Sequence, residues 1–515
     1  MKAIVITENN MGAGHFGNNE VIARPPGAQI VGDIFTQNGY DVQNIDFFGS
    51  WDHDKLLDLL CDWVNDEEVI VSFSISLSFY DSGKYQTFGM KMKERNPKAR
   101  CIIGGVRYAD SLKTEKSILY KDSWLDAIFL GRSMRNFDTW LKGNVESLPT
   151  RMQGSTLVIG TDKELEKDFA VIHKFNEQNM WCEKDIATFE ISLGCKFNCS
   201  FCNYDFKNIK NPDLADAEEL HQFFLQAYEY GVTNFYFADD TVNESVEKLE
   251  IFRKATENLP YKPRVSGFFR VEMLAKQYEE QLAAFKNAEI MGMYFGLETW
   301  NKEAGKTIGK AMDREKIKEI LRRLKKDLPG VHLFSSFIVG LRNDNYDHMF
   351  RELKKEMAEG LLDARTYLPL ALYDMPETFD SKGQIEADPV KFGFQTFKPR
   401  GAYHGTRLDL EVLEWRNSWT SSQEAGRMAK LLNSEAISVD KEPGMMSSFA
   451  YAQMVAFGIW DPYDKSTWTY SAPEARGGFH SGDIEVDGYS PAIIYRNEYI
   501  QKKTNYLNAI IQERQ

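Results

Sequence analysis

No run of this 515-residue chain is long and apolar enough to cross a bilayer as a helix. The opening Met1-Lys2-Ala3-Ile4-Val5-Ile6 is too short and too early for a signal peptide. Cysteine is scarce: there are six, with none after Cys202. That excludes a disulfide scaffold and points to a reducing compartment, so a cytoplasmic location is expected. Basic charge is also in deficit. Against 76 Asp and Glu there are 62 Lys and Arg, a net charge of −14, so neither a membrane nor a nucleic acid is an expected partner. What remains is a 43% hydrophobic chain with enough apolar residues for two or three cores.

Half of the cysteines fall within eight positions: Cys195, Cys199 and Cys202, spaced C-x3-C-x2-C, directly after the strand-like Thr188–Leu193. Thiolates are soft ligands for iron–sulfur clusters or zinc. Three on a tight loop can hold three irons of a cubane and leave the fourth open for a substrate or cofactor. A structural zinc would require a fourth ligand. Cys182, beside Trp181, is a candidate for that place, whereas His221 lies inside a predicted helix and reads as a packing residue.

In the first third, Lys2–Thr7, Val69–Ser74 and Cys101–Gly105 read as strands, with helices at Gln29–Asn38 and Lys55–Asn65 between them. This alternation predicts a parallel sheet covered on both faces. Gly12-Ala13-Gly14-His15-Phe16-Gly17 is formally G-x-G-x-x-G. However, Glu8–Met11 separate it from the strand and Pro25-Pro26-Gly27 would break the helix it should open, so a dinucleotide site is disfavoured.

From Asp185 to about 375 the alternation resumes. Strand candidates are Asn234–Ala238, Arg264–Phe269, Met293–Leu297 and Leu333–Val339; helices are capped by Asp216 and Asp313. Such a series predicts an open (β/α)6 barrel with its chemistry at the C-terminal strand ends. Those ends carry Asp239-Asp240, Arg270 and the Gly296-Leu297-Glu298 turn. Neighbouring buried carboxylates require a cation, and Arg270 is a candidate partner for Asp239 or for a ligand carboxylate. Beyond Met375 motifs thin out. Leu408–Leu432 has the pattern of an amphipathic helix containing Trp415, Trp419 and Met428, while Trp460, Trp468, Tyr470 and Gly477-Gly478 suggest a mixed aromatic lid.

The cysteine loop, with Phe201 just before its third cysteine, resembles that of radical S-adenosylmethionine (SAM) enzymes. The resemblance implies a [4Fe–4S] cluster on Cys195, Cys199 and Cys202, with SAM on the open iron and a 5′-deoxyadenosyl radical as product of its reductive cleavage. It also implies roles at the strand ends: Asp239 and Asp240 for the SAM ammonium, Glu298 for SAM or its ribose, and Ile338 against adenine. After Val339-Gly340-Leu341 relatives usually continue Pro-Gly-Glu-Thr, but this chain reads Arg342-Asn343-Asp344-Asn345. The N-terminal third resembles the cobalamin-binding-type domain that precedes many such barrels, although it lacks the D-x-H-x-x-G motif. Cobalamin is thus a further candidate cofactor. Methylthiotransferases of this superfamily carry three extra N-terminal cysteines, whereas here only Cys61 and Cys101 precede Cys182; that subclass is disfavoured.

The expected organisation is α/β: a Rossmann-like doubly wound domain over 1–145, a linker over 146–184, a partial barrel over 185–375 and a mixed or helical cap over 376–515. The expected function is radical modification of an unactivated carbon in a small molecule or peptide, with flavodoxin or ferredoxin as electron donor. With cobalamin the outcome would be methylation or rearrangement; without it, oxidation, cyclisation or rearrangement. A non-catalytic metal-stabilised binding protein and a nicotinamide-dependent oxidoreductase are the competing classes.

Overall fold

Short, continuously buried apolar strands build two largely parallel sheets, each covered on both faces. The computed structural model describes residues 1–7, 23–74, 82–105, 124–131, 133–160, 172–203, 207–374, 382–398, 412–436, 453, 455–459 and 491–513. The glycines at 12–17, and Trp460, Trp468, Tyr470, Gly477 and Gly478, lie outside the described residues.

The first sheet uses β1 (Lys2–Thr7), β2 (Asp41–Ile45), β3 (Val69–Ser74), β4 (Ala99–Gly105), β5 (Ala127–Leu130), β6 (Thr150–Gln153) and β7 (Thr156–Ile159), in the order β2-β1-β3-β4-β5-β7-β6. All its pairings are parallel except β6 with β7. Successive β1 residues face opposite sides. Ala3 and Val5 join Ile34 and Phe35 of helix α1 (Pro26–Gln37), while Ile4 and Ile6 join Leu57, Leu60 and Trp63 of α2 (His53–Val64). This is the doubly wound arrangement expected from the sequence. It runs further than position 145, because β6 and β7 extend the sheet to Ile159.

The second sheet consists of β8 (Ile186–Phe189), β9 (Asn234–Phe237), β10 (Arg264–Phe269), β11 (Glu289–Glu298), β12 (His332–Val339) and β13 (Ala364–Pro369). These six strands follow in sequence order, all parallel. Helices α3 (Ala217–Glu229), α4 (Val246–Ala255), α5 (Lys302–Ile308), α6 (Arg314–Asp327) and α7 (Tyr346–Glu359) fall between them. One face buries Phe189, Phe235, Phe237, Phe295 and Phe337 among helix residues. The other presents Tyr236, Tyr294 and Phe334, which share a core with the N-terminal domain.

The predicted helix over Leu408–Leu432 is instead, within its described part, strand β16 (Val412–Arg416) followed by α8 (Ser422–Ala436). Val412 to Arg416 pair with β14 (Leu372–Tyr373) and β15 (Gln395–Phe397), and backbone pairing overrides the helical spacing of the tryptophans. Trp415 is buried and donates from Nε1 to the Leu370 carbonyl at 2.9 Å.

The last helix, α9 (Pro491–Glu513), packs on α2, so the 376–515 stretch returns at its end to the N-terminal domain. Arg24 makes the junction. It meets Asp185 through Nε at 3.0 Å and Nη2 at 2.9 Å, reaches Asp46 at 3.5 Å, and lies over the rings of Trp181 and Tyr499. Tyr495 donates to the same Asp185 carboxylate. The first domain, the start of the barrel and the last helix therefore meet at one buried guanidinium.

Candidate active site

The cysteine loop leaves the end of β8 and is tied on three sides. Its own return segment holds it through a bridge between Cys195 and Lys207, with Ile209 N–H donating to the Cys195 carbonyl at 3.0 Å and Asn208 N–H to that of Phe197 at 3.0 Å. Ser200 Oγ donates to Thr307 O at 2.8 Å, at the end of α5. From the C-terminal segment, Ile385 N–H donates to Ser200 O at 3.0 Å. All three cysteines are free thiols at intermediate exposure. Burial pushes the Cys195 thiol up, and Glu244 and Asp240 add to this, against a contact with Thr241 Oγ1 at 3.5 Å.

Beneath the loop lies a buried ion triad. Lys248 Nζ is 2.8 Å from Asp239 Oδ1, 2.7 Å from Glu244 Oε1 and 3.1 Å from the Thr241 carbonyl. All three ammonium donors are thereby used. The carboxylates reach up to the loop. Asp239 accepts from Ile191 N–H, Ser192 N–H and Ser192 Oγ, each at 2.8 Å, and Glu244 accepts from Lys196 N–H at 3.0 Å. Asp239 is thus a loop anchor whose cationic partner is Lys248 rather than Arg270. Asp240 is exposed. Lys248 and Glu244 escape a motif-based reading; their one sequence signal is the i, i+4 spacing at the start of α4, which Ser245 caps.

Arg270, at the end of β10, lies over Phe197 with its guanidinium carbon 3.8 Å from the ring centroid. Its Nη1 points at Cys199 Sγ at 3.5 Å, and its Nη2 is 3.1 Å from Glu272. Burial would raise the Glu272 carboxyl, but Arg270 brings it below the usual range. Two residues of β11 complete the rim. A bulge between Gly296 and Glu298 puts Glu298 at φ +66°, where it meets Lys310 Nζ at 3.1 Å. Lys310 also donates to Gly296 O and lies 5.8 Å from the Phe201 ring centroid. Ile338 sits half-buried on β12, paired in register with Leu368. Of the residues singled out in the sequence, the cysteines, Phe201, Asp239, Arg270 and Glu298 therefore converge on the loop directly or through Lys310.

Among the described residues no three His, Cys, Asp or Glu side chains converge on a single ion. A cubane is a different demand, one thiolate per iron. Three half-exposed thiols, with Thr241 and Arg270 aimed at two of the sulfurs, fit that demand.

Residues 189–355 match the Radical SAM superfamily. A Methanocaldococcus jannaschii protein named "Putative methylthiotransferase" is 25% identical over 325 residues, 61% of this chain and 67% of its own. The radical SAM methyltransferase TsrM of Kitasatospora setae, solved with cobalamin and a [4Fe–4S] cluster, shares the fold over 85% of this chain and 92% of its own, with a TM-score of 0.59 at 12% identity. The cobalamin-dependent SAM radical enzyme OxsB, solved with aqua-cobalamin and SAM, does so over 89% of this chain and 72% of its own, with a TM-score of 0.58 at 10% identity. The match falls on the segment that carries the cysteine loop and strands β9 to β12, so residues 189–355 form a radical SAM domain, and the fold shared with TsrM and OxsB takes in the N-terminal domain as well.

Proposed function

We propose that this chain is a radical SAM enzyme that modifies an unactivated carbon of a small molecule or peptide, with cobalamin bound against its N-terminal domain. The carrying observation is the tethered C-x3-C-x2-C loop at the end of the first barrel strand, its cysteines partly exposed, with Arg270 facing the Cys199 sulfur and Thr241 that of Cys195. Cys195, Cys199 and Cys202 would hold the cluster. When bound, it supplies the one electron that splits SAM into methionine and a 5′-deoxyadenosyl radical. The chain's own residues bind and orient. Asp240, Arg270 and the Glu298–Lys310 pair put both signs of charge beside the loop, which suits the ammonium and carboxylate of an amino acid. Ile338 offers an apolar surface to a base. The electron donor is a flavodoxin- or ferredoxin-like protein.

Cobalamin is supported by the shared fold, which spans both sheets in two cobalamin-bound proteins. Methylthiolation is not the proposed reaction despite the relative's name. Cys101 is buried in β4, its thiol pushed up to about 12 by burial, and Cys61 lies against Met92 at 3.8 Å. The domain thus lacks the three cysteines that a second cluster would use. The absence of D-x-H-x-x-G favours a second reading, in which the domain holds no cobalamin and the radical oxidises, cyclises or rearranges its substrate.

The test is metal analysis of protein reconstituted anaerobically with iron, sulfide and cobalamin, followed by reduction with SAM. About four irons per chain, with 5′-deoxyadenosine formed, support the radical assignment. Stoichiometric cobalt supports the cobalamin assignment, and its absence selects the second reading. Zinc without iron overturns the proposal.

A further inference from the structure

We infer that Lys248 is the positioning residue for the first cysteine of the loop, acting through Asp239 and Glu244. The inference rests on the radical SAM reading for its purpose but on geometry for its content. Cys195 lies between the anchored residues Ser192 and Lys196. Asp239 takes the backbone N–H groups of Ile191 and Ser192 and the Ser192 hydroxyl; Glu244 takes the N–H of Lys196. Both carboxylates are almost fully buried, and the Lys248 side chain is completely so. Two buried carboxylates this close repel unless a cation lies between them, and a buried ion pair that loses one partner leaves the other uncompensated. Lys248 is that cation. Its third donor goes to the carbonyl of Thr241, whose hydroxyl lies 3.5 Å from Cys195 Sγ. One ammonium thus fixes both flanks of Cys195 and the residue facing its sulfur.

The arrangement also gives Asp239 its role. The carboxylate that the sequence suggests for a ligand ammonium is matched to an ammonium of the chain itself. Lys248 touches no thiol and acts only through its partners, so its effect should be confined to the geometry of Cys195 and leave Cys199 and Cys202 to their own anchors.

The experiment compares wild type, Lys248→Met, Lys248→Arg and Glu244→Gln. A control, Arg365→Met, breaks the buried Arg365–Glu356 pair between β13 and α7, at 2.8 Å. In metal-free protein, alkylation of each loop cysteine is timed by mass spectrometry. Expected is a Cys195 rate about tenfold higher relative to Cys199 in Lys248→Met, since local opening gates access to the thiol. Lys248→Arg should recover part of the difference and Arg365→Met should show none. Glu244→Gln, which keeps shape and loses charge, serves if Lys248→Met does not fold, and should raise the same ratio. In reconstituted protein the electron paramagnetic resonance signal of the reduced cluster should change in Lys248→Met but not in Arg365→Met. An unchanged ratio in both Lys248→Met and Glu244→Gln, or an equal change in the control, overturns the inference. A wild type that assembles no cluster overturns the radical reading instead, and the alkylation ratio still decides the role of Lys248.

Discussion

The Arg270 guanidinium lies 3.5 Å from the Cys199 sulfur and over the ring of Phe197, two residues earlier in the same loop. A cation donating to a cluster thiolate stabilises the more negative, reduced state. Arg270→Gln should therefore make the cluster harder to reduce, by roughly 60 mV or more, which for one electron is a tenfold change in the reduction equilibrium. A redox titration followed by electron paramagnetic resonance reads this directly. An unchanged potential with a full cluster would assign Arg270 to ligand binding alone.

A side chain at Gly296 would fit only if the ends of Glu298 and Lys310 moved aside. A Cβ there would come within 2.8 Å of Lys310 Nζ and would strike the Glu298 carboxylate. Gly296→Ala should thus part Lys310 from Glu298 while leaving the cysteine loop assembled. The expected result is normal iron content with SAM binding weakened about tenfold, the scale of one lost charge-assisted contact. Equilibrium binding of SAM to the oxidised protein checks it, and wild-type affinity would remove the pair from the SAM site.

Much of this site is local in sequence and was legible there. The cysteine spacing, the strands Lys2–Thr7, Val69–Ser74 and Arg264–Phe269, and the clustering of charge at strand ends follow from short-range pattern. What was not legible depends on contacts far apart in the chain. Lys248 reads as a solvated helix residue until Asp239 and Glu244 are seen around it, and nothing near Arg24 announces Asp185 or Tyr495. Trp415 and Trp419 sit at helical spacing, yet pairing of β16 with β14 and β15 makes the first of them a strand residue. Periodicity cannot register a partner strand about 40 residues away.

The adjacent acids should separate in function. Asp239 is spent on the loop and on Lys248, whereas Asp240 is exposed beside it. Asp239→Asn should lower iron content on reconstitution, since it weakens both the Lys248 pair and the loop anchors, at a cost of about 3–5 kcal/mol for breaking a buried ion pair. Asp240→Asn should keep the cluster and raise the SAM concentration needed for half-maximal 5′-deoxyadenosine formation. Iron analysis and SAM titration on the two variants give the answer; the reverse pattern would return the ligand role to Asp239.

The junction that joins the first domain to the last helix should respond to pH through Lys503. Its Nζ is buried, donating to Gln43 Oε1 at 2.7 Å and Gln178 O at 2.6 Å, and burial lowers its pKa to about 7 against the pull of Asp46. An exposed lysine in the unfolded chain titrates near 10.4. Between these values the unfolded chain holds the proton and the folded one does not, so stability rises with pH across the window from about 7 to about 10.4. Below the folded-state value both forms are protonated and the burial cost of the charge is felt in full. Lys503→Met removes this dependence. The stability of wild type relative to Lys503→Met should therefore climb by up to about 1.4 kcal/mol per pH unit in that window. Urea unfolding of both proteins at pH 7.5 and 9.5 measures the difference, and parallel behaviour would mean that Lys503 keeps its proton in the folded protein, paired with Asp46.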